Sequence, residues 1–372
     1  MTDKVNSEVR DVRREIRKIE SRFEILRTIL TLLISLAIII VIIALVSDNP
    51  LDAVKTLLTG PLTSMRRFSN VIELMIPLSF TGLALTVVFT TKRYNLSANS
   101  AFYMGAMMAT IVGIFSPLPP FLTVIVALIA GFLAGAVIGG VPAVLSEKYR
   151  ANVLVISLML NYLVGFFVKY LFNYVVRDPG RSSQESYPLP EGVNLGTLIP
   201  KTRIHFGLFI MLAVVIIAYY VFYKTKWGYT LRTVGSNEKF AKYTGIEVSK
   251  VVILAQIIGT GIAGLGGSVE MLGIYSSFMW NEAPGFGFDG VIIATLARQN
   301  PRSIPFAAFF LAYVRTGADI LNRTSNVPAE IISIVQATII LLIAAQSFLS
   351  TWKEKEIVKV SQVETKVKEV EA

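Results

Sequence analysis

Stretches of eighteen or more residues without a single charge recur along this chain, at 28–46, 121–143 and 331–348. A bilayer core of about 30 Å takes about 20 apolar residues per helix, so these windows restrict the chain to helices surrounded by lipid. Hydrophobic residues make up 53% of the 372 and charged ones 16%. With a mean hydropathy of +0.62, the membrane class is favoured, since a water-soluble chain of this size would carry far more charge. The fold class expected is all-α, a polytopic transmembrane bundle of about ten spans.

The pattern places those spans at 28–46, 72–91, 95–115, 121–141, 152–172, 204–223, 251–273, 287–297, 304–321 and 329–349. The eighth is too short to cross as a regular helix, and Gly285, Gly287 and Gly290 crowd its start. It is expected to be a re-entrant half-helix or a broken one, since irregular backbone at membrane depth survives only where protein or a water cavity satisfies it. The first span is expected to stay in place: its charged flank is too long for a cleaved leader and no small-residue cleavage site follows.

The formal charge of +10 would point to nucleic acid in a soluble protein. Here the basic residues fall between spans, which argues for orientation instead and against a nucleic-acid partner. With the N-terminus inside, 25 of the 35 Lys and Arg residues fall on the inner side. That bias predicts both termini in the cytoplasm and an even number of crossings. Residues 1–27 form a cytoplasmic amphipathic segment with a heptad stripe of Val5, Val9, Val12, Ile16, Ile19, Phe23 and Leu26, suited to a membrane surface or a neighbouring subunit. Residues 28–350 are the membrane domain and 351–372 a cytoplasmic tail. The stretch 173–203, rich in Pro, Gly and Ser, reads as an external loop of limited regularity.

Little in the chain carries covalent chemistry. It has no cysteine and one histidine, which removes thiolate metal sites, disulfides and His-rich metal centres. His205 reads as an interfacial residue at the entry to a span. No G-x-x-x-x-G-K-[ST] loop, G-x-S-x-G elbow or H-E-x-x-H pair occurs, so neither an ordinary ATP site nor a hydrolase site is expected.

The longest inner connection, 224–250, offers a glycine-bearing turn at Gly235-Ser236-Asn237, a short helix at Glu238–Tyr243, an N-cap at Asn237 and a helix stop at Gly245. On spacing alone it is equally a docking surface for a cytosolic partner or a basic loop that serves only orientation. Its sequence, WGYTLRTVGSNEKFAKYTGIEV, resembles the cytoplasmic loop of ABC importer permeases of the simple-sugar and nucleoside type, within the broad branched-chain amino acid/sugar/nucleoside permease family. In that pattern, G-x-x-x-R-x-x-G-x-N followed by a small residue and G-I, the matching positions are Gly228, Arg232, Gly235, Asn237, Ala241, Gly245 and Ile246. GFGFDG at 285–290 and MLNY at 159–162 resemble two further strings of the family, in the same order. The chain departs from it where N-I-G-x-E-G-Q is usual. It has Asn95-Leu96-Ser97-Ala98-Asn99-Ser100-Ala101, and Leu154-Val155-Ile156-Ser157 precedes MLNY in place of E-V-I-V-[TS].

The resemblance implies a permease subunit in the inner membrane of a bacterial cell. A cytosolic ABC ATPase that uses ATP and Mg would dock on 224–250. A second permease, commonly a different one, would complete the pathway, and an external binding lipoprotein would deliver the solute. Nucleoside is the first expectation, simple sugar the second and branched-chain amino acid the third. No cofactor or metal is expected on this chain itself. Intramembrane ionisable residues are costly and default to function. Glu73 is read as reaching water near a span end, Arg315 and Asp319 as a pair on one helix face, and Glu270 and Asp289 as flanking the short eighth segment. Candidate pathway residues are Asn95, Asn99, Asn161, Tyr162, Glu270, Phe288 and Asp289; Phe102 and Tyr103 could also stack on a base. The runner-up is an ion-coupled secondary transporter that needs no ATPase. A membrane enzyme or scaffold is a distant third.

Overall fold

The computed structural model describes residues 50–324 together with Ala37 and Val41, both helical. Apart from Ala37 and Val41, the expected span 28–46 lies outside the described residues, as do the span 329–349, the heptad stripe and the tail at 351–372. The chain divides into two units, Leu57–Gly317 and Met1–Thr56 with Ala318–Ala372. In the second, the described residues carry the ion pair of Asp319 with Arg323, 3.1 Å.

The helices are α1 Pro50–Thr59, α2 Met65–Thr90, α3 Ala98–Phe115, α4 Pro120–Tyr149, α5 Val153–Leu171, α6 Gly207–Lys224, α7 Lys226–Ser236, α8 Glu238–Tyr243, α9 Val248–Ile274, α10 Phe286–Leu296 and α11 Ile304–Thr324. Among the described residues there is no strand, only two isolated bridges, Arg177 with Ser186 and Thr197 with His205. Among the described residues, seven helical stretches are long and apolar enough to cross a bilayer. They correspond to expected spans two to seven and nine, so about ten is not established.

The centre of the bundle is α9, which packs along α2, α3 and α4. Lipid tails give apolar helices little reason to associate, so close approach of backbones must supply the attraction. A Cβ on Gly105 of α3 would lie 2.1 Å from the Gly264 carbonyl oxygen, and one on Gly264 of α9 would lie 2.2 Å from that of Gly131 on α4. Ser268 adds a hydrogen bond across the gap, donating to the Gly105 carbonyl at 3.0 Å. The inner helices are accordingly the most buried and α4, α5 and α6 the most exposed.

Polar residues set the helix starts. Ser64 accepts from the Arg67 amide at 3.2 Å and Asn152 from the Leu154 amide at 3.0 Å. Each satisfies a donor that the first turn leaves open.

The eighth segment is an irregular stretch, 275–285, followed by the eleven-residue α10, about 16 Å at 1.5 Å per residue. Its glycines have separate reasons. Gly285 caps the helix with φ +83°. A Cβ on Gly287 would meet the Asn99 Cα at 2.2 Å, and one on Gly290 the Thr81 carbonyl at 2.7 Å, midway along α2. The irregular backbone finds partners in protein, as it must at that depth. The Ser276 and Phe278 carbonyls accept from Leu189 and Ser186 at 2.8 and 2.9 Å, and the Phe278 amide donates to the Ser186 hydroxyl at 2.9 Å.

Those bonds also revise the expectation for 173–203. The helix of α5 continues as a π turn, Phe172–Val176, and the connection then lies across the end of the bundle. Leu195 donates to the Leu272 carbonyl at 2.9 Å, and Val193 packs into a buried cluster with Ala109, Val124, Ala127 and Leu272. His205 is fully buried rather than interfacial, its Nδ1 accepting from the Gly207 amide at 3.1 Å. Glycines at 207 and 273 leave the space its ring fills.

Candidate solute cavity and its link to the basic end

A cavity of about 520 Å³ opens between α3, α5 and the segment leading into α10. From α3 come Asn99 and Tyr103, four residues apart and therefore on one face. From α5 come Asn161, Tyr162, Phe166 and Lys169, again at helical spacing, and from the third wall Glu282, Ala283 and Phe288.

The walls are held by the residues that line them. Asn161 donates through Nδ2 to the Leu96 carbonyl at 3.1 Å and accepts from the Ser100 amide at 3.2 Å, so its amide locks α5 to the start of α3. The Tyr103 hydroxyl donates to the Trp280 carbonyl at 2.8 Å. Phe102 stacks on Trp280 at 6.1 Å and meets Phe286 edge-on at 5.2 Å, which fixes the irregular segment against α3. Lys169 and Glu282 pair at 3.5 Å, with the carboxylate largely exposed. Among the described residues the buried Oδ1 of Asn99 has no hydrogen-bond partner. A buried acceptor left open is costly, and this one belongs to a cavity-lining side chain.

Four expected pathway residues, Asn99, Asn161, Tyr162 and Phe288, thus meet in one place. Three do not line it. Asn95 is fully buried and structural in its contacts, donating to the Gln256 side chain at 2.7 Å and accepting from the Ser97 amide at 2.9 Å. Asp289 faces the other way, in a two-pronged ion pair with Arg315 of α11. The expected pairing of Arg315 with Asp319 gives way to this interhelical one, because a partly buried guanidinium is best matched by two parallel hydrogen bonds. Glu270 is buried near the far end of α9, with Oε2 unpartnered among the described residues. Glu73 is not simply hydrated: it pairs with Arg203 at 3.1 Å. The reading from sequence missed Phe166, Lys169 and Glu282. The signal for the first two was their spacing of four and seven from Tyr162 on one helix face.

The opposite, basic end of the bundle gathers the motif residues of 224–250 into two helices rather than one helix and a turn. Gly235 and Ser236 are the last residues of α7. A Cβ on Gly235 would lie 1.8 Å from the Thr90 carbonyl at the end of α2, and one on Gly228 2.2 Å from the Val221 carbonyl of α6. Both glycines are contact points for the helix ends beneath. Asn237 ends α7 and caps α8, accepting from the Phe240 amide at 3.0 Å. Gly245, at φ +81°, closes α8: its amide reaches the Lys242 carbonyl at 3.1 Å and that of Ile246 the Ala241 carbonyl at 3.0 Å. This pair of bonds is the Schellman arrangement and accounts for the Gly-Ile pair of the motif. Ala241 is fully buried.

Arg93, at the start of the α2–α3 connection, joins Glu147 of α4 at 3.1 Å and Glu238 of α8 at 3.3 Å. Ser249 of α9 donates to the same Glu147 at 2.9 Å. The Lys242 ammonium, hydrogen-bonded to Glu238 at 2.8 Å, holds that carboxyl below its ordinary 4.5; the Arg93 charge adds to this and partial burial opposes it. Tyr229, Phe240 and Tyr243 stand exposed on α7 and α8. Among the described residues no three His, Cys, Asp or Glu side chains could hold a metal.

Residues 67–344 match the family described as branched-chain amino acid transport system / permease component. The chain is 29% identical over 327 residues to the glucose ABC transporter permease protein TsgB13 of Haloferax volcanii, covering 84% of this chain and 85% of that protein. It is 28% identical to the guanosine ABC transporter permease protein NupP of Bacillus subtilis, over 72% of this chain and 78% of that one. The nucleoside ABC transporter permease protein NupB of Lactococcus lactis is 25% identical, over 86% and 90%. A match covering most of the chain, on a bundle of apolar helices with the motif residues placed as described, shows that this protein belongs to the family of branched-chain amino acid transport system permease components.

Proposed function

We propose that the chain is the membrane-spanning permease subunit of an ABC importer that takes up nucleosides. The observation that carries this is the cavity. Its wall combines the amide side chain of Asn99 with the aromatic side chains of Tyr162, Phe166 and Phe288, and has a mixed-charge rim at Lys169 and Glu282. Rings suit a nucleobase, and amide and charged groups suit a ribose. The names of the Bacillus and Lactococcus relatives support the same solute class.

In this reading Gly228, Arg232, Gly235, Asn237, Ala241, Gly245 and Ile246 shape the coupling surface. A separate cytosolic ATPase, using ATP and Mg, docks on α7 and α8 through the exposed Tyr229, Phe240 and Tyr243. A second permease completes the pathway, an external lipoprotein delivers the solute, and both termini lie in the cytoplasm. Residues of the basic end supply the inner-side charge that this orientation needs.

The test is uptake of labelled guanosine into proteoliposomes holding the chain with and without its co-purified ATPase. ATP-dependent uptake is expected only with the ATPase, and uptake by the chain alone would support ion coupling instead. A simple sugar is the second reading, favoured by the Haloferax relative. Accumulation of glucose in place of guanosine in the same vesicles would establish it.

A further inference from the structure

Tyr219 and Tyr223 lie one turn apart on α6, and each carries a guanidinium. Arg232 of α7 sits 4.9 Å from the Tyr223 ring centroid, and Arg302 sits 3.9 Å from that of Tyr219. The two rings are 5.1 Å apart, and Arg302 also donates to the Tyr219 hydroxyl. The series Arg232–Tyr223–Tyr219–Arg302 is continuous.

Its two ends belong to different parts of the protein. Arg232 is on the helix whose motif residues face the ATPase in the reading above. Arg302 is in the short turn Pro301–Ser303 that joins α10 to α11. α10 is the half-helix that presents Phe288 to the cavity, and its other contacts run to α2 and α3. The four side chains therefore bridge the coupling surface to the connection at the far end of the half-helix whose first turn carries Phe288, and none of them lines the cavity.

We propose that Tyr219 and Arg302 are positioning residues: they hold the α10–α11 turn to α6 and α7, so that a displacement of α7 reaches the half-helix. This rests on the importer reading. A guanidinium over a ring is attracted by the whole π face, so the contact at Arg232 tolerates sliding. At Arg302 the added hydrogen bond makes the turn follow the ring. The linkage is thus compliant at α7 and fixed at the α10–α11 turn. That asymmetry lets a small helix movement carry a packed element with it.

The chain has no cysteine, so a single reporter thiol has no background. Asn281→Cys, exposed on the segment ahead of α10, is labelled with a membrane-impermeant maleimide in vesicles containing the chain with its ATPase. Solute moved per ATP hydrolysed is measured in parallel. Tyr219→Leu and Arg302→Gln are expected to keep ATP hydrolysis within about twofold, to lower solute per ATP about tenfold and to erase the ATP-dependent change in labelling. Arg302→Lys, which keeps the charge and a donor, is expected to restore most of both. Tyr219→Phe, which keeps the ring but loses the hydroxyl that Arg302 binds, is expected to restore less. Arg302 is exposed, so its Gln variant carries the test even where Tyr219→Leu lowers the yield.

Unchanged transport ratio and labelling in the Leu and Gln variants would overturn the linkage and leave the importer reading standing. Equal loss in Arg302→Lys, or full function in Tyr219→Phe, would also overturn it. A parent that shows no ATP-dependent uptake would remove the importer reading itself, and the linkage with it.

Discussion

The cavity and the basic end solve the same problem, holding helices in register, by different chemistry. Around the cavity, α3, α5 and the irregular segment are joined mainly by neutral contacts: the Asn161 amide on backbone, the Tyr103 hydroxyl on a carbonyl, and ring on ring. The charged pair there, Lys169 with Glu282, stands at the exposed rim. At the basic end, α8 is joined to α4 and the α2–α3 connection by Arg93 with two carboxylates, and α7 to α6 by a cation over a ring. Charges are costly in lipid and cheap at its surface. The cavity wall is therefore built of contacts that break only at high cost, and the basic end of contacts that exchange readily. In the importer reading, solute selection calls for the first property and a docking surface for a moving partner for the second.

Substitutions that attack the interior should show the largest effects. Replacing Asp289 with Ala breaks the buried pair to Arg315 and is expected to lower stability by about 3–5 kcal/mol, read as a lower melting temperature in detergent. Replacing Gly264 with Val drives a side chain into the backbone of α4 and should cost about 1–3 kcal/mol, with loss of monodisperse protein on gel filtration.

Effects at the basic end should be smaller. Asn237→Ala removes the cap of α8 at a cost of about 1 kcal/mol; the spans stay folded, and stimulated ATP hydrolysis falls. Glu238→Gln should cost less than about 1 kcal/mol, since the pair is partly exposed. The depressed pKa of Glu238 fixes the pH dependence of that last effect. Its contribution is fully present at neutral pH, above the unfolded value, and is lost as pH falls through the lower folded value. The difference in melting temperature between parent and variant should close on acidification and nowhere else. A Glu238 effect as large as that of Asp289 would erase the contrast between the two regions.

Much of the bundle was legible in the sequence because uncharged length is a direct reading of lipid contact. The half-helix was legible because three glycines and a short apolar run coincide at 285–297, and Asn237 and Gly245 were legible because cap chemistry is local. Long-range partners were not. The spacing of Arg315 and Asp319 predicted a pair on one helix, while the partner that Arg315 takes, Asp289, lies 26 positions away. His205 reads as interfacial until Gly207 and Gly273 are seen to leave room for its ring. Backbone-to-backbone bonds between 186–195 and 272–278 have no side-chain signature at all. For the cavity, the motif strings marked Asn161, Tyr162 and Phe288. Lys169 and Glu282 emerge as rim residues only once α5 and the irregular segment are neighbours.

Asn237 terminates one short helix and begins the next with no residue between. The two rods share a single hinge pin, so a load placed on α8 cannot be absorbed as slack before it turns α7. In the importer reading, a spacer of even one flexible residue at that corner is expected to let a docked motor cycle without moving the helices above it.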